Sequence, residues 1–449
     1  MKRMNRVFLA GLTAVLCAAM LLTGCGSEQL PSAEPVETTT APTETTGPAL
    51  SWETNYLMSD TIEYEVDDIG ENKTQAAGHT VLGSKITRDQ IRTVTFLDTL
   101  ETKPTSAWDV SASGNGSVMA WTTLNEGLYD LYIAAEGGVS AGATCESLFA
   151  GYSNLERIDF GDAFHTDGAE SMYAMFLGCG KLEKMDVSCL DTAAVTRMNV
   201  MFAYCSGLTR LDLSGFVTSG VTRMNHMFHQ CSALEELDLS SFDTKNVTNM
   251  KSMFNGCGKL NQLELDHFDT ASVTDMSFMF RDCTALTELR LNKFNTAGVK
   301  NMKYMFSDCA NLKTLEVENF NTGSVTDMSY MFRNCYELQA VDVSRFNTSR
   351  VTNMRAMFED CSKVEHLAVE YFDTRNVTDM SYMFFGCSAL QDLDVSRLDT
   401  GLVTDMESMF WKCPVVTPED VSGFKTENVT SYDYFMEGEG WESMFGSQQ

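Results

Sequence analysis

Cys309 to Cys335 reads C-A-N-L-K-T-L-E-V-E-N-F-N-T-G-S-V-T-D-M-S-Y-M-F-R-N-C, and this stretch decides how the whole chain is read. The same 26-residue template returns at Cys179, Cys205, Cys231, Cys257, Cys283, Cys309, Cys335, Cys361, Cys387 and Cys413. A fixed period of this length marks units that cannot bury their apolar side chains alone and must stack. In the second half of the unit, Val325, Met328, Met331, Phe332 and Cys335 are spaced as one apolar stripe about 120° wide on a helix. The spacing predicts a short helix of two to three turns, with Thr326 near its start as a cap. In the first half, Leu312, Leu315, Val317 and Phe320 follow L-x-x-L-x-L, which predicts a short parallel strand with bends on either side. The fold class expected is therefore α/β: a leucine-rich-repeat solenoid of about eleven repeats, strands on one face and helices on the other, with terminal caps.

Working outward, the solenoid is expected over 144–436, an N-terminal cap region over 51–143 and a C-terminal tail over 437–449. Within the cap, Arg92 to Phe96, Ser117 to Trp121 and Asp130 to Ala134 have strand character between glycine-rich turns. Residues 51–91 show no period, and no role is assigned to them. Upstream, 25–50 holds Cys25 and a stretch rich in Thr and Pro, of which Gly26 to Ala49 reads as an extended tether reaching about 70 Å at about 3.1 Å per residue. Residues 1–24 open with Lys2, Arg3 and Arg6, run apolar from Val7 to Leu22, and meet Leu22-Thr23-Gly24-Cys25. That is a lipoprotein signal peptide with Cys25 as the acylated residue, too short for an ordinary membrane span. Two or more acyl chains there anchor stably, so the expected location is the cell membrane, lipid-anchored and facing outward.

Composition narrows function by exclusion. A net charge of -30 argues against a nucleic-acid partner, which needs clustered Lys and Arg. The motifs of serine hydrolases, phosphate-binding loops, zinc peptidases, dinucleotide sites and EF-hands are missing from the sequence, so neither an enzyme nor a cofactor is expected. The cysteine ladder could mean disulfides, metal or buried thiols, and its place on the apolar stripe favours buried thiols. Met198 to Met406 and Met201 to Met409 lie on the same stripe and read as core. His226 and His229 lack a third ligand in the pattern, and no metal site is expected there. Cys189 stands at a variable position beside Gly215, Ser241 and His267 and reads as an incidental exposed thiol. Phe-Asp/Asn-Thr, as in Phe242-Asp243-Thr244, reads as turn chemistry.

One position carries information about partners. Between the two strand apolar residues stand Asp159, Asp186, Asp212, Asp238, Glu264, Arg290, Glu316, Asp342, Ala368, Asp394 and Asp420, nine of eleven acidic. At a strand spacing of about 4.8 Å this makes a negative stripe roughly 50 Å long. It is either an edge kept soluble or an electrostatic recognition surface for basic segments or cations.

The consensus L-x-x-L-D-[LV]-S-x-F-[DN]-T-x-x-V-T-x-M-x-x-M-F-x-x-C, met nearly in full from Leu234 to Cys257, resembles the repeat of BspA-like leucine-rich-repeat surface proteins of bacteria. The resemblance covers about residues 80–436. It implies a displayed adhesin or protein-interaction module whose partners are host matrix proteins, such as fibronectin and fibrinogen, or neighbouring bacteria. No fixed binding residues travel with that family. A passive scaffold or coat protein of the cell envelope is the rival expectation.

Overall fold

In the computed structural model, residues 51–60 and 78–446 are described, so the signal peptide, Cys25 and the tether lie outside the described residues. Each 26-residue unit forms one coil stacked on the next, and the apolar positions of the template fill the interior. Val325, Met328, Met331, Phe332 and Cys335 are all fully buried, as are their counterparts in the neighbouring coils. Phenylalanines at the Phe332 position form a continuous pile from Phe176 to Phe410. Their ring centroids are 5.4–5.9 Å apart and their planes within 11° of parallel.

The expected α/β leucine-rich-repeat architecture is not what forms. Among the described residues there is no α-helix, and helical geometry is confined to 3-10 turns such as Ser51–Thr54, Arg88–Gln90 and Glu442–Phe445. The segment from Val325 to Cys335 is instead a run of tight turns that also bonds to the next coil. Met331, Arg333 and Cys335 donate to carbonyls three residues back, while Met328, Tyr330, Phe332 and Asn334 donate to Asn353, Arg355, Met357 and Glu359. Two residues per coil hold this path by adopting positive φ, Tyr330 at 60° and Asn334 at 57° in this unit. An unbroken parallel bridge ladder from Thr144 to Ser431 runs through the very place where the helices were expected.

Spacing is the physical reason. An α-helix with side chains is about 10–12 Å across, twice the separation that the Phe pile and the bridge ladder impose on successive coils. The residues agree with this outcome, because Val, Thr, Asp, Ser, Tyr and Asn fill the segment and are poor helix formers. The residue before the cysteine is Gly178, Gly256, Asp282, Asp308, Asn334, Asp360 or Gly386 in most units, a type that tolerates positive φ. This gives a test with a sign. Gly386 has φ of 71°, and a Cβ on it would stand 2.1 Å from an Asp360 carboxylate oxygen. Gly386→Ala should therefore lower stability by about 1–3 kcal/mol in urea unfolding, where the same change in a helix would raise it by about 1 kcal/mol.

Strands are few and short. The cap region contains β1 (Ile91–Leu97), β2 (Trp108–Asp109), β3 (Met119–Asn125), β4 (Leu128–Ala134) and β5 (Val139–Ser140). The coils add β6 (Arg157–Asp159), β7 (Phe164–His165), β8 (Arg210–Leu211), β9 (Glu236–Leu237), β10 (Glu288–Arg290) and β11 (Thr314–Glu316). One five-stranded sheet has the order β2-β3-β4-β1-β6, and β1 is parallel to both β4 and β6. The three strands read from the cap sequence appear as β1, β3 and β4. The first repeat strand, β6, continues their sheet. Glu126 and Gly127, both at positive φ, close the β3–β4 hairpin in the two-residue turn that matches strand twist.

Residues 51–60 are built into this region. Leu57 and Ser140 exchange backbone bonds with their neighbours across the gap, Met58 donates to Val110, and Trp52 stacks on His165 at 4.3 Å. At the other end, part of the expected tail folds back over the last coil. Phe445 stacks on Tyr432 at 4.3 Å, and the Thr426 hydroxyl donates to the Met444 carbonyl at 2.6 Å.

Candidate functional site

Two kinds of polar ladder position the outward side chains. The buried threonine of Phe-Asx-Thr clamps one coil to the next: the Thr322 hydroxyl donates to the Asn347 carbonyl at 3.1 Å, and the Thr270 hydroxyl accepts the Asn295 N–H at 2.8 Å. The Asx residue beside it makes the local turn expected of it, as Asn295 does by accepting the Ala297 N–H at 3.2 Å. The threonine was expected to bond locally, and its reach across coils is the correction. The hydroxyl is almost wholly buried, and these partners in the next coil satisfy it in place of water.

The cysteines of the ladder are free thiols deep in the core. From Cys179 to Cys387 each thiol donates to the carbonyl of a phenylalanine in the preceding coil, at 3.0–3.2 Å. From Phe176 on, the same phenylalanine carbonyl takes the backbone N–H of its own coil's cysteine, and the Phe149 carbonyl takes that of Tyr152. Burial pushes the Cys257 and Cys335 thiols up to about 12, far from thiolate reactivity. Cys189 is half-buried and is pushed up to about 11, by burial first and then by Asp186. Among the described residues, no group of three or more His, Cys, Asp or Glu converges to hold a metal. No helix among them is long and apolar enough to cross a membrane.

The acidic row is brought together on the strand side of successive coils. Asp159, Asp186, Asp212, Asp238, Glu264, Asp342, Asp394 and Asp420 are exposed, and Glu316 is half-buried. Five of these carboxylates have a second partner that fixes their direction. Asp186, Asp212, Asp238, Asp342 and Asp394 each accept the N–H of the serine two residues on, at 2.9–3.0 Å. These serine bonds hold the five carboxyls below the usual carboxylate range, so they stay anionic. The Asp-x-Ser spacing is visible in the sequence and was the overlooked signal for this turn. Glu316 accepts from the Asn292 side chain at 2.9 Å, and Asp420 from the Thr417 N–H at 2.8 Å.

The row is interrupted where the template departs from acid. Arg290 turns to Glu288 at 2.8 Å and stands between Glu264 and Glu316, so the field there is partly cancelled. Alongside the row runs a mixed one, in which Arg210 lies 3.9 Å from Glu236 and His366 lies 2.9 Å from Asp392. The longest uninterrupted acidic run therefore ends at Glu264. There a surface depression of about 500 Å³ is lined by Glu235, Glu236, Asp238, Gln262, Glu264 and His267. A second, of about 360 Å³, lies at Asp394, Glu419 and Asp420. Such an arrangement offers fixed negative charge at regular intervals.

Stacked coils of one template, with polar ladders between them and charge on their strand side, define a repeat protein. Residues 143–264, 233–341, 259–368 and 334–443 each match the family described as "Mycoplasma protein of unknown function, DUF285", and together these matches span more than half of the chain. The chain belongs to that family. No curated protein and no solved structure matches it.

Proposed function

We propose that this protein is a cell-surface lipoprotein, anchored through Cys25, that acts as an adhesin or protein-interaction module through the strand-side face of its coils. The reading rests on one observation above the others: Asp186, Asp212 and Asp238 repeat coil by coil as exposed carboxylates, each held by the serine two residues on. Preset charge at a regular interval steers and registers a basic partner without ordering cost at the moment of binding. The likeness of the repeat to BspA-like surface proteins and the lipobox point to the same role. The partners that fit are host matrix proteins or the surfaces of other bacteria, approached through basic segments.

The test is a binding assay of the chain from Ser51 onward against matrix proteins, mucins and whole bacteria at low and high salt. Asp212→Asn, Asp238→Asn, Asp342→Asn and Asp394→Asn together should weaken binding by about tenfold and flatten its salt dependence. The amide oxygen of Asn still accepts the serine N–H, so the turns survive the change. Unchanged affinity and salt slope would refute the acidic face as the contact. Failure of the unaltered chain to bind any of these would favour a passive envelope scaffold.

A further inference from the structure

The coil ending at Cys231 carries a pair of side chains that its neighbours lack. His226 and His229 lie inside the stack, 4% and 0% exposed, with their rings edge to face at 5.5 Å. The coil before has Val200 and Ala203 at these positions, and the coil after has Ser252 and Asn255. Nδ1 of His226 meets the Asn225 side chain at 3.2 Å, while its Nε2 is buried with no hydrogen-bond partner. Nε2 of His229 faces the Tyr204 hydroxyl at 3.2 Å. The amide oxygens of Asn199 and Asn255, on the coils either side, are also buried without partners.

The surroundings offer little to a positive charge. Arg197 of the preceding coil is turned to Glu146 and the Tyr173 ring. Lys251 of the following coil lies over the Phe278 ring. Tyr204 is a neutral phenol at neutral pH. Asp275 favours a charge on His226, against burial and the second imidazole.

We propose that His226 and His229 form an acid-operated break point, at which protonation parts this coil from its neighbours and opens the stack around residues 224–231. An imidazolium there is stripped of water and pressed against a second ring, whereas in an opened coil both rings hydrate freely. The opened chain takes up a proton near pH 6.5, but burial and His229 hold closed His226 down to about 3. Closure is therefore unaffected above pH 6.5 and erodes as pH falls from there towards 3. Each unit favours the open form about tenfold through His226. What must break are the bonds from Met224, His226, Phe228 and Gln230 to the following coil and those from Val200, Phe202 and Tyr204 to Asn225, Met227 and His229. Because coils contact only their neighbours, the opening stays local.

Amide hydrogen exchange on the full chain at about pH 7 and about pH 4.5, corrected for intrinsic rates, tests this. In the unaltered chain, residues 224–231 should lose about a hundredfold in protection on acidification while 276–283 keep theirs. His226→Ser with His229→Asn installs the residues already used by the next coil and should abolish the loss. Equal protection of the two segments at both pH values, or the same acid response in the double variant, would overturn the proposal. Should the double variant fail to fold, His226→Ser alone must still reduce the pH slope, and an unchanged slope is a negative result.

Discussion

Arg88→Met is expected to destabilise the chain by about 3–5 kcal/mol, read as a lower urea midpoint and loss of amide protection over 145–152. Arg88 is fully buried beneath Asp60, with a 2.7 Å ion pair. Its guanidinium donates to the Ser147 carbonyl at 2.8 Å and the Ala150 carbonyl at 2.7 Å, and lies over the Tyr152 ring. In the later coils from Leu177 to Trp411, the carbonyl corresponding to that of Ala150 takes an N–H from the coil before, as Leu177 does from Gly151. The first coil has no such coil before it, and Arg88 supplies the donor instead. Met has similar bulk but no donor, so it takes the guanidinium from the Ala150 carbonyl and leaves Asp60 without its cation, while the Ser147 carbonyl keeps the Ala150 N–H. Asp60→Asn should cost far less, since Asp60 is 21% exposed and the guanidinium still reaches both carbonyls. A loss below about 1 kcal/mol for Arg88→Met would mean that the end of the stack is satisfied in some other way.

Phe306→Ala is expected to cost about 3–5 kcal/mol, through lost burial and an unfilled cavity. Phe306 is fully buried and stacks on Phe280 at 5.8 Å and Phe332 at 5.7 Å, so its removal leaves two rings with an empty face. The gap cannot close easily, because the bridge ladder on one side and the thiol bond from Cys335 to the Phe306 carbonyl on the other hold the coils at their spacing. Phe306→Leu should recover about half the loss by refilling most of the volume. Thermal unfolding of the three chains side by side decides the matter, and a cost for Ala no greater than for Leu would contradict the packed pile.

The inside-outside pattern was legible from spacing alone: Val325, Met328, Met331, Phe332 and Cys335 were placed on one apolar face and are fully buried. Their conformation was misread because steps of three and four do not belong only to helices. Consecutive turns bonded three residues back, as from Met331 to Met328, generate the same spacing. The discriminating residues were Asn334 and its Gly and Asp counterparts, which accept positive φ, together with the scarcity of strong helix formers. In the acidic row, the positions and exposure of Asp212 and Asp238 followed from alternation, whereas their fixed direction depends on Ser214 and Ser240. Arg88 could not be read at all. It lies in a stretch without a period, and its role exists only because the stack has a first coil.

The polar ladders also bear on how such a chain changes over generations. Thr322 and Thr348 offer their neighbours the same hydroxyl bonds, and Phe306 and Phe332 the same ring faces. A gene that gained or lost one whole unit by unequal recombination would still form these threonine bonds and ring contacts at the new junction. Only the two ends, with Arg88 at one and Phe445 at the other, are irreplaceable. Repeat number is then free to drift or to be selected, and with it the number of carboxylates offered to a partner.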